Sequence, residues 1–93
     1  MISAFVLAAI LSVQAPPARY DFEPKIPVSV IEVSSPNMTC RRIGGRNSGT
    51  ILACAVASKS RCIIIWPAGK RRAGLMWRHE RAHCNGWPSY HPR

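Results

Sequence analysis

The stretch WRHERAHCNGWP, residues 77–88, has the features of a helix end and carries two of the three histidines of the chain. From about Ala73 onward, apolar residues and then histidines recur at spacings of three and four, which places them on one helix face. Gly86 suits the left-handed position that follows a helix, and Pro88 prevents the helix from continuing. These signals predict a helix from about Ala73 to Asn85 with imidazoles on one face.

Within this helix the letters HERAH, residues 79–83, have the spacing H-E-x-x-H. Two histidines four residues apart project from successive turns of one face, so both can bind one metal ion without backbone strain. His79 and His83 are therefore candidate zinc ligands, since zinc is held by neutral imidazoles at about 2.0–2.1 Å. Glu80 is the candidate catalytic residue, placed to take a proton from water activated at the metal. Arg81 is expected on the outer, solvent-exposed face.

This segment resembles the active-site helix of zincin metallopeptidases. It follows the H-E-x-x-H-x-x-G pattern of their metzincin branch through Gly86, but the eleventh position is Ser89 where that branch has histidine. The resemblance implies that the chain turns back after Gly86, and the need for three protein ligands makes His91 the candidate third ligand. Cys84 is the alternative ligand. Tyr90 is a candidate hydrogen-bond donor to a developing oxyanion, or else a packing residue of the C-terminal loop.

The resemblance also implies how a substrate would bind. In zincins a strand that precedes the active-site helix lies at the edge of the cleft and pairs with extended substrate. The segment RCIIIW, residues 61–66, occupies the corresponding place, so the resemblance predicts substrate pairing along Ile63, Ile64 and Ile65. The sequence departs from the family in having no methionine after the motif and no long upper domain.

Two apolar runs of strand length, TILACAV at 50–56 and RCIIIW at 61–66, are separated by a short polar link and predict an antiparallel hairpin. Residues 16–39 contain five of the eight prolines and read as an extended lead-in, within which VSVIEV has the composition of a short strand. No internal repeat interrupts this order.

The N-terminal run ISAFVLAAILSV, residues 2–13, is apolar apart from two serines and too short to span about 30 Å of hydrocarbon. It ends in VQA, which resembles a signal-peptidase site. We predict a signal peptide over 1–15, cleavage near Ala15, export to the periplasm or the exterior, and no stable membrane span after processing. An uncleaved anchor or a packed N-terminal helix are the alternatives.

Four cysteines in an exported chain this short fit two disulfides, with three possible connectivities. A bridge between Cys54 and Cys62 across the hairpin is one option. Bridges that join either strand to Cys40 or Cys84 are the others, since the register of the hairpin is not fixed by sequence. The absence of a C-x-x-C pair argues against a cysteine-ligated zinc ribbon.

The chain carries 13 Lys and Arg against 4 Asp and Glu, a net charge of +9. Such a surface attracts polyanions such as nucleic acid, anionic lipid or acidic wall polymer. After residue 33 the only acidic side chain is Glu80, which occupies the second position of the motif.

Taken together, these features predict a small α+β domain of zincin-like type over 40–93, with a short antiparallel sheet packed on one helix and stapled by disulfides. The predicted function is zinc-dependent hydrolysis of peptide or amide bonds in a peptide or protein substrate. The alternative is an exported cationic binding module for nucleic acid, wall polymer or membrane, with a structural or vestigial zinc site.

Overall fold

The computed structural model describes residues 13–45 and 49–93, so most of the predicted signal peptide lies outside the described residues. Within these ranges the chain forms three strands, two α-helices and one short 3-10 helix. The elements are the 3-10 helix Ala18–Tyr20, β1 Val28–Val33, α1 Pro36–Arg42, β2 Cys54–Ala57, β3 Cys62–Pro67 and α2 Gly74–Cys84. None of the helices in the described part of the chain has the length and apolar character needed to cross a bilayer.

The strands form one sheet in the order β1-β3-β2, with β3 in the centre. β2 and β3 pair antiparallel, which is the predicted hairpin, and β1 pairs with β3 in parallel. The small, disulfide-stapled α+β class is confirmed, but the wholly antiparallel sheet is wrong. After β1 the chain passes through α1 and β2 before it returns as β3, and a long crossing connection of this kind permits parallel pairing.

The central strand is buried on both of its faces. Ile64 and Trp66, each 0% exposed, pack on the α2 side of the sheet, while Ile65 packs with Cys40 of α1 on the other side. This three-layer arrangement explains why β3 is a continuous apolar run and not an alternating one.

The position of β3 corrects the predicted substrate strand. Ile63, Ile64 and Ile65 are each paired with a residue of β1 on one side and with a residue of β2 on the other. Their backbone groups are used within the sheet, so no peptide can add to this strand. The order of the segments along the sequence did not indicate that β1 would pair with the second edge of β3.

The disulfides join Cys40 to Cys54 and Cys62 to Cys84. In the hairpin register Cys54 lies opposite Ile65 and Cys62 lies opposite Ala57, so the two strand cysteines lie at opposite ends of the ladder and cannot bridge. One bridge ties α1 to the sheet and the other ties the C-terminal end of α2 to it. Each bridge restricts the unfolded chain and so stabilises the fold by about 3 kcal/mol for loops of this length. Both bridges are typical of an oxidising, extracellular environment.

The proline-rich segment is less extended than predicted, because Pro36 begins helix α1. Proline is tolerated in the first helical turn, where its missing N–H has no partner in any case. The Ser35 side chain accepts a hydrogen bond from the Met38 N–H at 3.4 Å and caps the helix. The strand VSVIEV is present as β1.

Residues 13–23, which we call the N-terminal arm, lie along α2. The Asn85 side-chain amide donates to the carbonyls of Tyr20 and Phe22 at 2.8 and 2.6 Å. Asp21 accepts hydrogen bonds from Arg78 and from Arg81. Arg81 was expected to be solvent exposed, but these contacts leave only 19% of its side chain exposed.

Candidate metal centre

Helix α2 ends in a backbone turn that sends the chain back toward its own histidines. The N–H of Trp87 donates to the Ala82 carbonyl and that of Gly86 to the His83 carbonyl, each at 3.1 Å. This pair of bonds is the Schellman motif, and Gly86 has the positive φ of +96° that the motif requires. Pro88 follows and prevents further helix, as the sequence predicted.

The turn brings His91 to the two helix histidines. The Nε2 atom of His91 lies 3.1 Å from that of His79 and 3.1 Å from that of His83, and the helix pair are 3.3 Å apart. A tetrahedral zinc site with Zn–N bonds of about 2.0–2.1 Å separates its ligand nitrogens by about 3.3 Å. The three nitrogens are therefore spaced so that His79, His83 and His91 could hold one ion together.

Backbone carbonyls set the tautomer of both helix histidines. Nδ1 of His79 is 2.7 Å from the Gln14 carbonyl, and Nδ1 of His83 is 2.7 Å from the Trp87 carbonyl. A carbonyl only accepts, so each Nδ1 carries the proton and each neutral ring presents a bare lone pair at Nε2. Lone pairs that converge at 3.3 Å repel one another unless a cation lies between them, which makes this cluster suited to a metal ion.

The C-terminal loop holds the third ring by its backbone. His91 has a φ of +58°, a conformation that histidine adopts more readily than most residues, and its N–H donates to the Pro88 carbonyl at 2.9 Å. The Trp87 indole donates to the Pro92 carbonyl at 2.8 Å and closes the loop from the other side.

Glu80 shares a cavity of about 390 Å³ with all three histidines. Residues of β2 and the segment before it form one wall, and most of them have small side chains that leave the space open. Those residues are Ala53, Cys54, Ala55 and Ala57. Glu80 is only 6% exposed, and burial alone raises the pKa of its carboxyl to about 7. A carboxyl with a pKa near neutrality is suited to taking up and releasing a proton.

Burial favours the neutral form of all three imidazoles. Burial is the largest cause that lowers the pKa of His79 and of His91 below the usual 6.5. It lowers the pKa of His83 to about 4, with a further contribution from the charges of the other two rings. A metal ion binds the deprotonated ring, so these lowered pKa values favour the form of each histidine that can bind metal.

The structure brings together the four predicted metal-binding and catalytic residues and leaves the predicted oxyanion donor outside. His79, His83, His91 and Glu80 line one cavity. Tyr90 is 79% exposed and does not line it, because the turn that directs His91 inward leaves the preceding side chain facing solvent. The predicted oxyanion donor therefore does not lie beside the three histidines.

Two residues of the centre were not anticipated. Trp87 stacks on the His83 ring with centroids 4.9 Å apart at 16°, besides supplying the carbonyl for its Nδ1. Its position just after Gly86 was a usable signal, because the residue after the left-handed position commonly packs back against the helix. Gln14 contacts His79 from 65 residues away, and no local pattern indicates such a contact.

No protein-family model, curated protein or solved structure matches this chain. The histidines are therefore identified as a candidate metal centre from their geometry and from the chemistry of their surroundings.

Proposed function

We propose that this protein is a zinc-dependent hydrolase of peptide or amide bonds, related in its active-site helix to the zincins. The observation that carries the proposal is the convergence of three Nε2 atoms, 3.1 to 3.3 Å apart, in the same cavity as a buried carboxyl group. A structural zinc site fills all four positions with protein ligands, whereas three ligands with an open fourth position are typical of catalytic zinc.

Zinc, when bound, would supply a Lewis acid that polarises a carbonyl and increases the acidity of water. His79, His83 and His91 would hold it. Glu80 would accept a proton from the attacking water and return it to the leaving amine nitrogen. Its place in the same cavity as the three imidazoles suits it to that transfer.

The substrate we propose is an extended peptide that binds along β2. It does not bind along β3, because both edges of β3 are already paired. β2 is the edge strand next to the cavity, and Ala53, Cys54 and Ala55 contribute to the cavity wall. An edge strand presents unpaired backbone groups to which a peptide can add as a further strand. An exported, disulfide-bonded hydrolase would meet such substrates in the periplasm or outside the cell.

The decisive experiment measures zinc content and turnover of Glu80→Gln beside the wild type, with a library of unstructured peptides as substrate. We expect one zinc per chain in both proteins and a fall in turnover of about 10²- to 10⁴-fold in the variant. Glu32→Gln is the matched control, because Glu32 is an exposed carboxylate paired with Arg72. Less than half an equivalent of tightly bound zinc in the wild type would refute the proposal, as would full turnover in Glu80→Gln.

A second candidate, a cationic binding module, is favoured by the distribution of charge. Every acidic side chain other than Glu80 pairs with an arginine beside or on α2. The described cations outside these pairs are largely exposed, among them Lys59, Arg61, Lys70 and Arg71. Binding to DNA or anionic vesicles that weakens steeply with salt and is unchanged by Glu80→Gln would support this function.

A further inference from the structure

We infer that Gln14 is a positioning residue of the metal centre. Through Gln14, the N-terminal arm orients two of the metal-binding histidines. The inference rests on the proposed metal site, and it goes beyond that site by assigning a role to a residue far outside the motif. Its basis is a pair of hydrogen bonds from one residue to two of the three ligand histidines.

The first bond joins the Gln14 carbonyl to Nδ1 of His79 at 2.7 Å. It lies on the side of the ring away from Nε2, so it fixes the tautomer and orientation of the ring without occupying the space where the ion binds. Partners of this kind behind a ligand histidine raise its basicity and limit its rotation. The arm therefore supports the site and does not block it.

The second bond runs from the Gln14 side-chain amide to the His91 carbonyl at 3.3 Å. His91 is the ligand with the weakest local support, since it lies in a loop and has a positive φ. One glutamine thus connects the helix ligand to the loop ligand and fixes their relative position.

The arm is itself held in place over its whole length. Pro16 is buried, Asp21 pairs with Arg78 and Arg81, and Asn85 donates to the carbonyls of Tyr20 and Phe22. These contacts fix the path of the segment that directly follows Gln14. The location of Gln14 is therefore set by several independent contacts.

This role conflicts with the predicted cleavage near Ala15. A cut at that place would separate Gln14 from the chain and remove both hydrogen bonds. A centre that depends on Gln14 needs residues 13–15 to stay attached, so the inference favours the uncleaved form and predicts weaker metal binding in a cleaved one.

The test is zinc affinity of the full chain, measured by competition with a chromophoric chelator. The carbonyl is probed by replacing the amide between Gln14 and Ala15 with an ester, whose carbonyl accepts more weakly; ligation at Cys40 allows the chain to be assembled. We expect about a tenfold loss of zinc affinity from the ester and a severalfold loss from Gln14→Ala, at the lower end of the usual effect of partners behind metal ligands.

Arg19→Ala is the matched control, because Arg19 lies in the same arm and only covers the Tyr20 ring at 4.9 Å. We expect it to bind zinc as the wild type does. Cobalt absorption spectra and the nitrogen shifts of the His79 ring report on ligand geometry directly. A changed spectrum in the ester, with the melting temperature of the metal-free protein unchanged, supports a positioning role.

Wild-type zinc affinity in both Gln14 variants would overturn the inference while leaving the proposed function intact. A loss of affinity that merely follows a lowered melting temperature, with unaltered cobalt spectra, would also overturn it. A wild-type chain that binds no zinc would instead refute the proposed function.

Discussion

The two faces of helix α2 differ in the pairing and burial of their ionisable groups. On the outer face, Arg78 and Arg81 pair with Asp21 of the N-terminal arm, and the side chains of these groups are between 18% and 45% exposed. On the inner face, His79 and Glu80 lie half-buried or buried beside a cavity, and no opposite charge contributes to the pKa shift of Glu80.

The difference separates groups that stabilise the fold from groups that cost stability. Exposed ion pairs contribute about 0–1 kcal/mol each. A buried carboxylate without a cationic partner is unfavourable, and so are the Nε2 lone pairs of His79 and His83 directed at one another. The helix keeps these unfavourable groups because its contacts with the sheet, the Cys62–Cys84 disulfide and the N-terminal arm stabilise its position. Unfavourable groups gathered around one cavity are typical of a functional site.

The largest expected effect compares the two disulfides. Cys62→Ala with Cys84→Ala should lower the free energy of unfolding by about 2–5 kcal/mol, and so should Cys40→Ala with Cys54→Ala. The first pair should also weaken zinc binding more than the second, since Cys84 follows His83 on α2 whereas Cys54 only contributes to the cavity wall. Urea unfolding and zinc titration measure the two quantities. Equal losses of zinc affinity in the two variants would show that the histidine site does not depend more on the Cys62–Cys84 bridge than on the other one.

Next in size is the loss of a ligand. His83→Ala removes one of three imidazoles, and its zinc affinity should fall more than a hundredfold, because partners behind a ligand already account for 10- to 100-fold. Arg78→Ala on the outer face should leave the affinity unchanged. Chelator competition measures both, and a comparable loss in Arg78→Ala would contradict the division of the helix into two faces.

The pH dependence of the metal-free protein is expected to be smaller and of two signs. Because the folded pKa of His83 is about 4 against the usual 6.5, the unfolded chain binds more protons between these values, and stability falls as the pH is lowered through them. The pKa of Glu80 is raised from 4.5 to about 7, so its contribution is lost as the pH rises through that range.

Glu80→Gln separates the two trends. We expect it to increase the free energy of unfolding by about 2 kcal/mol above pH 7, since one pKa unit corresponds to about 1.4 kcal/mol and the cavity is partly hydrated. Below pH 4.5 it should have little effect. Urea titrations with chelator from pH 4 to 8 test this, and a variant less stable than wild type at pH 8 would disprove the cost assigned to the carboxylate.

The smallest expected effect belongs to the outer face. Hydrogen bonds from Arg78 lead the causes that lower the pKa of Asp21 below 3.8, so its stabilisation is present at neutral pH and is lost as the pH falls through that lowered pKa. Asp21→Asn should reduce stability by less than about 1 kcal/mol at pH 7 and by less in high salt. Thermal melting with and without 1 M salt measures it. A larger loss would mean that the arm is held chiefly by this carboxylate.

What the sequence predicted well was local. The end of α2 followed from Gly86 and Pro88, because a left-handed residue and a missing N–H act within one turn. The hairpin followed from two apolar runs and a short link, and the spacing of His79 and His83 on one face followed from the helical repeat.

What it did not predict depends on contacts between distant segments. The parallel pairing of β1 with β3 decides which strand is central, and the register of the hairpin decides which cysteines can meet. Neither choice leaves a mark in the local composition. The Gln14 carbonyl is a backbone group that every residue possesses, so no residue type could have indicated its contact with His79.

The two disulfides join consecutive cysteines, the first with the second and the third with the fourth. A chain that enters an oxidising compartment with its N-terminus leading would offer Cys40 and Cys54 to each other before Cys62 and Cys84 arrive. Each bridge can thus form between the newest pair of thiols without exchange of an earlier one, and oxidative folding of this protein should not require a disulfide isomerase.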